Sequence, residues 1–220
     1  PQQGLGGAIN PGNTVGQPVA IAFHPSNGNT FIAGLLTNNV MVLDQNANYI
    51  SEFDLPVGAM PRGLRLDSSG TVLFVYCQGT NEIRAYRWGT GAFLLRWQLN
   101  HDPAHPNILR GRALFYDGSR SLHGNLACAS CHIEGETDLL AWNLSNLPVD
   151  DKGPMLTQTM KGLEKLAPFH WRGERSLAEF NPAFEGLLGA TAQLSTMELA
   201  DFEAFVFSMN VRANPREHAD

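Results

Sequence analysis

The chain has little cysteine and no concentration of positive charge. Three of its 220 residues are cysteines, and 15 lysine and arginine residues stand against 21 aspartate and glutamate residues. The formal net charge is −6, and no basic cluster occurs along the sequence. This charge pattern argues against a nucleic-acid partner and against binding to an anionic membrane surface.

A long apolar run is also missing, so no membrane span is expected. Residues 1–17 are rich in glycine, asparagine and proline rather than basic and then apolar. They do not read as a signal peptide, and we expect a linker or a partial strand there. The hydrophobic content of 43 % is nevertheless ordinary for a globular chain with one or two domains.

The chemistry of the sequence is concentrated in Cys128-Ala-Ser-Cys-His132. Cys-x-x-Cys-His is the attachment signature of a c-type haem. The two thiols add across the porphyrin vinyl groups, and the adjacent histidine becomes the fifth ligand of the iron. A zinc site would need a second ligand pair, whereas the third cysteine, Cys77, lies in an apolar run and is expected to be a buried strand residue. A redox dithiol would need a surrounding βαβ pattern, which is absent. The sequence therefore predicts covalently bound haem c, with His132 on the iron.

An internal repeat occupies residues 18–100. Its period of 43 residues separates four pairs, namely Pro18 and Pro61, Thr37 and Thr80, Asn38 and Asn81, and Val40 and Ile83. A repeat of this size built from short strands is typical of a β-propeller blade. The stretch resembles bacterial propellers whose blades carry a strand, a Thr-Asn turn and a second strand ending near aspartate. We therefore predict two propeller-like repeats.

Two blades cannot close a ring, because propellers use at least about four. Open blades also leave strand edges exposed. We expect this chain to be a fragment of a longer polypeptide or to complete its sheets against a partner. A small open β-sandwich is the alternative.

A change of periodicity marks the second half of the chain. Residues 101–106 are a proline-broken linker, and beyond it the apolar spacing changes from two to about 3.6. Helices are predicted over 107–117, 137–143 and 181–188, and after a capping box formed by Ser195 and Glu198. The predicted architecture is α+β and multidomain: β-propeller-like blades over 18–100, followed by an all-α cytochrome c domain over 107–220.

The run that opens this domain resembles bacterial dihaem cytochrome c peroxidases and their MauG-like relatives. The similarity is carried by Gly111–Asp117, Leu122–Gly124 and Cys128–His132, and continues in Thr157–Gly162, Ala167–Gly173 and Leu177–Phe184. The resemblance implies an oxidoreductase with two haems. This chain departs from that pattern, because it has one haem motif and because the position that matches the family's methionine ligand lies near Phe184, which cannot bind iron.

The sixth iron ligand distinguishes electron transfer from an open, reactive iron. Met155, on a Gly-Pro turn soon after the motif, is the first candidate. Alternatively it is core filler, and the carbonyl of Pro154 accepts a hydrogen bond from His132 Nδ1. His170 is the second candidate and Met160 the third. Trp171 and Trp142 are expected as walls of the haem pocket, and Arg172 and Arg175 as partners of the haem propionates.

These features predict extracytoplasmic electron transfer through one haem c held by His132 and Met155. The alternative is a peroxidase-type oxidoreductase in which this haem is the relay and a second haem lies outside the chain. Because similar motifs receive haem outside the bacterial cytoplasm, a periplasmic or extracellular location is expected. The expected partners are a redox protein and further blades or a second haem segment. Residues 18–100 gather no acid, base or metal ligands for a site of their own.

Overall fold

The computed structural model describes residues 14–100, 102–144 and 153–211. The chain divides into two compact units. We call the first the blade unit; it contains the described residues up to Pro103 together with Tyr116–Leu126. We call the second the helical unit; it contains Ala104–Phe115 and the described residues from Ala127 onward. The loop that precedes the cysteine motif therefore belongs to the blade unit, although the sequence places it beside the haem run.

Each repeat folds into one four-stranded antiparallel sheet in which neighbours in sequence are neighbours in the sheet. Blade 1 contains β1 (Pro18–Phe23), β2 (Thr30–Gly34), β3 (Asn39–Leu43) and β4 (Tyr49–Asp54). Blade 2 contains β5 (Pro61–Leu66), β6 (Val72–Cys77), β7 (Glu82–Arg87) and β8 (Ala92–Gln98). A meander of four strands is the form of a propeller blade. The predicted propeller-like repeats are confirmed at this level.

The repeated Thr-Asn pairs make the turn between the second and third strands of each blade. Asn38 and Asn81 have φ values of 50° and 51°, in the left-handed region that asparagine tolerates better than most residues. The Thr37 hydroxyl donates to the Asn39 side-chain oxygen, and the Thr80 hydroxyl donates to the Glu82 carboxylate at 2.9 Å. The sequence repeat thus reflects a repeated turn geometry.

One apolar core lies between the two blades. It joins Phe31, Val40 and Val42 of blade 1 to Leu73 and Val75 of blade 2, among others. Cys77 is fully buried in this core, as expected for a strand residue, and burial raises the pKa of its thiol to about 12. Each blade therefore covers one face of the other.

The helical unit contains four α-helices among the described residues: α1 (Pro106–Phe115), α2 (Cys128–Cys131), α3 (Ala183–Gly186) and α4 (Thr196–Ser208). The first predicted helix is present, and so is the capping box, since Ser195 accepts from the Glu198 N–H while the Glu198 carboxylate accepts from the Ser195 N–H. The predicted helix over 181–188 is reduced to the four residues of α3.

The predicted helix over 137–143 is wrong. Residues Ala141–Trp142 form a strand, β9, that pairs with β10 (Met155–Leu156). The Asp138 carboxylate accepts from the Leu140 N–H at 3.0 Å and from the Trp142 indole at 2.8 Å. A short acidic side chain that binds nearby donors in this way favours a turn over a helix. The helical unit is therefore not entirely α.

Helices α1 and α4 form the centre of the helical unit. Phe115, Phe202 and Phe205 are buried there, with the Phe115 ring 5.4 Å from that of Phe205. Phe184 packs edge-on against Phe202 at 5.8 Å, so this position serves the core. Among the helices that the structure describes, none has both the length and the apolar character needed to cross a membrane.

Candidate haem-attachment site

Helix α2 is a single turn that carries both thiols of the motif. Ser130, between the cysteines, accepts a hydrogen bond from the Ala127 N–H at 3.0 Å and so caps the start of the turn. The Cys128 carbonyl accepts from the His132 N–H at 2.9 Å and closes its end. Both thiols are free rather than paired in a disulfide, and burial raises the pKa of each. They therefore remain neutral thiols one helical turn apart.

The His132 ring is oriented by a hydrogen bond to the Gln158 carbonyl, which lies 2.8 Å from Nδ1. In a neutral ring that donates through Nδ1, the lone pair is on Nε2, the atom that then coordinates a metal. Burial holds the pKa of His132 below its usual value, which favours this neutral form.

The alternative in which Pro154 supplies this carbonyl is wrong. The acceptor comes from Gln158, four residues later, because residues 155–156 pair with β9 while 158–160 run beside the motif. Two further contacts fix that run: the Met160 N–H and the Thr159 hydroxyl both donate to the Gly135 carbonyl, at 2.8 and 3.1 Å. Met160 is thus placed by its backbone next to the motif.

Asp138 connects the motif to the β9–β10 pair. Its charge contributes to the raised pKa of Cys131, where burial is the larger cause, and it lies near enough to act on the His132 pKa as well. Burial would raise the pKa of Asp138 itself, but hydrogen bonds from Leu140, Thr157 and Trp142 hold it below its usual value. An ionised carboxylate therefore stands beside the cysteines. The sequence analysis missed this residue; an acid four positions before a tryptophan was the available signal.

Met155 lies directly opposite Trp142 in the β9–β10 ladder, so both side chains are on one face. Met155 is half-buried there. The exposed Trp171 donates its indole N–H to the Leu156 carbonyl at 2.8 Å, which ties the aromatic loop to β10. The structure thus places Met155 opposite Trp142, which is hydrogen-bonded to Asp138, and ties Trp171 to the neighbouring Leu156.

His170 contacts a carboxylate and an aromatic ring that follow it in the chain. Its Nδ1 lies 2.9 Å from the Glu174 carboxylate, its ring lies 5.8 Å from that of Phe180, and its φ is +75°. The side chain is half-buried, and its hydrogen bond lowers the pKa of Glu174. An imidazole engaged by a carboxylate in this way is positioned by its own loop.

The two arginines of the aromatic loop have different surroundings. Arg172 is exposed, and its charge contributes to the lowered pKa of Glu174. The Arg175 guanidinium lies over the Phe180 ring at 5.6 Å, and its backbone pairs with Phe169. Both guanidinium groups therefore lie around the loop that Trp171 ties to β10.

Within residues 14–100, 102–144 and 153–211, no group of three or more histidine, cysteine, aspartate and glutamate side chains is placed to hold a metal ion. The groups that the motif provides, two free thiols and an imidazole with its Nδ1 engaged, are of the types that attach a porphyrin with its own iron.

Comparisons with known proteins leave the family open. No protein-family model matches the chain, and no curated protein matches it. Similar solved structures include Kuenenia stuttgartiensis hydrazine synthase, with 24 % identity, a TM-score of 0.35, and coverage of 38 % of this chain and 24 % of that one. They also include virginiamycin B lyase from Staphylococcus aureus, with 20 % identity, a TM-score of 0.34, and coverage of 40 % and 28 %. A streptogramin B lyase has 24 % identity with the same score and coverage. The chain spans less than a third of each of these proteins.

Proposed function

We propose that this chain is an electron-transfer protein with one haem c attached to Cys128 and Cys131. The observation that carries the proposal is the motif itself, folded as one helical turn with the His132 Nδ1 engaged by the Gln158 carbonyl. When bound, haem c supplies one-electron chemistry at its iron. His132 and Met155 would hold the iron, and the Met155 thioether would raise the reduction potential relative to a second histidine.

The chain's own residues have distinct roles in this proposal. The thiols of Cys128 and Cys131 anchor the porphyrin, and Gln158 fixes the His132 ring so that Nε2 presents its lone pair. Asp138 holds the Trp142 indole, and Trp142 and Trp171 provide flat apolar cover near Met155. Arg172 is proposed to pair with a propionate, and His170 either does the same or replaces Met155.

The proposed setting is outside the cytoplasm, in the periplasm or extracellular space, where the chain exchanges electrons with a redox partner protein. With His132 and Met155 both on the iron, no position would be open for a substrate, so the proposed activity is electron transfer alone. A second haem segment on a longer chain or partner would make this haem a relay instead.

The first test is the optical and EPR spectrum of the purified ferric protein. We expect a low-spin iron with a methionine-type charge-transfer band, and we expect Met155→Ala to abolish that band while haem remains covalently attached after denaturation. His170→Ala and Met160→Ala are the matched controls and should keep the band. A high-spin wild-type iron that binds cyanide readily would refute the electron carrier. A low-spin wild type without the methionine band, whose spectrum changes only in His170→Ala, would reassign the ligand to His170.

Attachment is tested separately. Haem should remain with the denatured wild-type chain and be lost from a Cys128→Ala/Cys131→Ala variant. The Cys77→Ala variant should keep its haem, because Cys77 is buried between the blades.

A further inference from the structure

Both outer faces of the blade pair carry exposed apolar side chains. On blade 2, Leu95 and Trp97 are 43 % and 47 % exposed, and they share the face that carries Phe74, Ile83 and Tyr76. On blade 1, Ile21 and Phe23 are 57 % and 65 % exposed and lie beside Ile32 and Thr30. Contiguous exposed apolar surface of this kind usually marks an interaction site.

The open face of blade 2 is the equivalent, 43 residues later in the sequence, of the buried face of blade 1. In blade 1, Phe31 pairs with Val42, and Ala33 with Val40, which in turn pairs with Phe53. The equivalent ladder of blade 2 pairs Phe74 with Ala85, and Tyr76 with Ile83, which pairs with Trp97. The first set packs into the core between the blades, with the Phe53 ring 5.1 Å from that of Tyr86. The second set has the same pattern and no blade over it among the described residues.

The open face of blade 1 is likewise the sequence equivalent of the buried face of blade 2. Blade 2 contacts the core through Leu64, Leu66, Leu73, Val75 and Tyr86. The same ladder positions on the outer face of blade 1 carry Ile21, Phe23, Thr30, Ile32 and Leu43. The two open faces are therefore complementary in the way that the two buried faces already are.

We propose that a second copy of this chain covers the open face of blade 2 with the open face of its own blade 1. The contact is head-to-tail and repeats the interface that already exists between the blades. Such heterologous contacts join different surfaces of the two copies and can continue until a ring closes. The proposed contact extends the existing pair of blades, because it uses the same residue positions that blades 1 and 2 use against each other.

The loop before the cysteine motif leaves this contact available. Ser119, Ser121 and His123 line a polar pocket of about 330 Å³ with Glu52 and Asp54 of β4. The equivalent strand of blade 2, β8, is exposed along its whole length and contributes no residue to the core between the blades. The loop therefore lies beside β4 and the start of β3, where Asn39 also lines the pocket, whereas Ile21, Phe23, Ile32 and Leu43 do not line it.

The test is sedimentation of the full holoprotein across a wide range of concentration. We expect the mass to rise to twice the chain mass or more. Two variants each block one face, Leu95→Lys/Trp97→Lys on blade 2 and Ile21→Lys/Phe23→Lys on blade 1. Each variant alone should be monomeric. An equimolar mixture should form a one-to-one dimer and nothing larger, because it retains one open face of each kind.

Val57→Lys is the matched control, since Val57 is exposed on the connection between the blades, and it should associate like the wild type. A wild type that stays monomeric at every concentration would overturn the proposal. A mixture of the two variants that fails to associate would also overturn it, provided both keep the wild-type circular dichroism and melting temperature. If a double variant is unfolded, Trp97→Lys and Phe23→Lys singly give the same comparison.

Discussion

Glu82 in blade 2 occupies the position that Asn39 has in blade 1, so the two equivalent turns end in different side chains. The Glu82 side chain is 1 % exposed. Arg84 donates to it at 2.5 Å, Thr80 at 2.9 Å and Arg96 at 3.4 Å. Burial alone would raise the pKa of Glu82, but these donors outweigh burial and hold the pKa below its usual value. The ionised form therefore stabilises the fold.

Glu82→Gln should lower the free energy of unfolding at neutral pH by about 1–3 kcal/mol, because a hydrogen-bonded charge is lost. The contribution of Glu82 is present above the ordinary glutamate pKa of about 4.3 and is lost as the pH falls through the lower folded-state pKa. The difference between wild type and variant should therefore narrow on acidification. Urea unfolding at a series of pH values measures this difference.

The exposed Glu164 offers a control for that measurement. Glu164→Gln should leave both the stability and its pH dependence close to those of the wild type. If the free energy of unfolding differs between wild type and Glu82→Gln by the same amount down to acidic pH, the shape of the side chain and not its charge causes the loss of stability.

At the residue scale the sequence alone singles out Cys128, Cys131 and His132, because the proposed covalent attachment demands that spacing. The Gln158 carbonyl was not predictable, because any residue type provides a carbonyl and only the fold decides which one reaches His132. Asp138 was missed for a similar reason: its hydrogen bonds to Leu140 and Trp142 depend on a local turn.

Among the elements, the close approach of α1 and α4 depends on Gly111. A Cβ at this position would overlap the Asp201 carbonyl and the Phe205 side chain. Arg110, next to it, donates twice to the Asp201 carboxylate, at 2.6 and 2.9 Å. This bidentate pair lowers the pKa of Asp201 and fixes the helices at the point of contact.

Gly111→Ala should destabilise the helical unit by about 1–3 kcal/mol, the usual cost of overpacking, because α4 must move away. Gly186→Ala in α3 is the control, since nothing lies within 4 Å of a Cβ there. Alanine is a better helix former than glycine, so the control should be neutral or slightly stabilising. Thermal unfolding monitored by circular dichroism compares them, and equal effects of both substitutions would contradict the close-packing argument.

Elements with strong local signals were predicted well. The capping box located α4, and the 43-residue repeat located both blades, because period-two spacing and turn residues agree there. The segment 137–143 failed because it is too short for periodicity to separate helix from strand. The shortness of α3 likewise reflects a loop whose shape depends on contacts outside it, such as the Asn181 side chain with the Leu194 backbone.

For the whole molecule, the formal net charge of −6 is the property most relevant to the proposed electron transfer. A negative protein attracts cationic partners, and added salt screens this attraction. Arg172 and Arg175 surround the aromatic loop and oppose the net charge locally. The rate of electron exchange therefore reports which field a redox partner meets at the haem.

Reduction of the ferric protein by a small cationic reagent should slow about tenfold between low and high ionic strength, because electrostatic steering is lost. An anionic reagent should speed up over the same range, and a neutral hydroquinone should change little. Stopped-flow absorbance at the haem band measures all three rates. Arg172→Gln should make the salt dependence for the cation steeper if this guanidinium lies near the transfer path. A cationic reagent that speeds up with salt would mean that the arginines, and not the net charge, dominate the field, so that the partner would be an acidic protein.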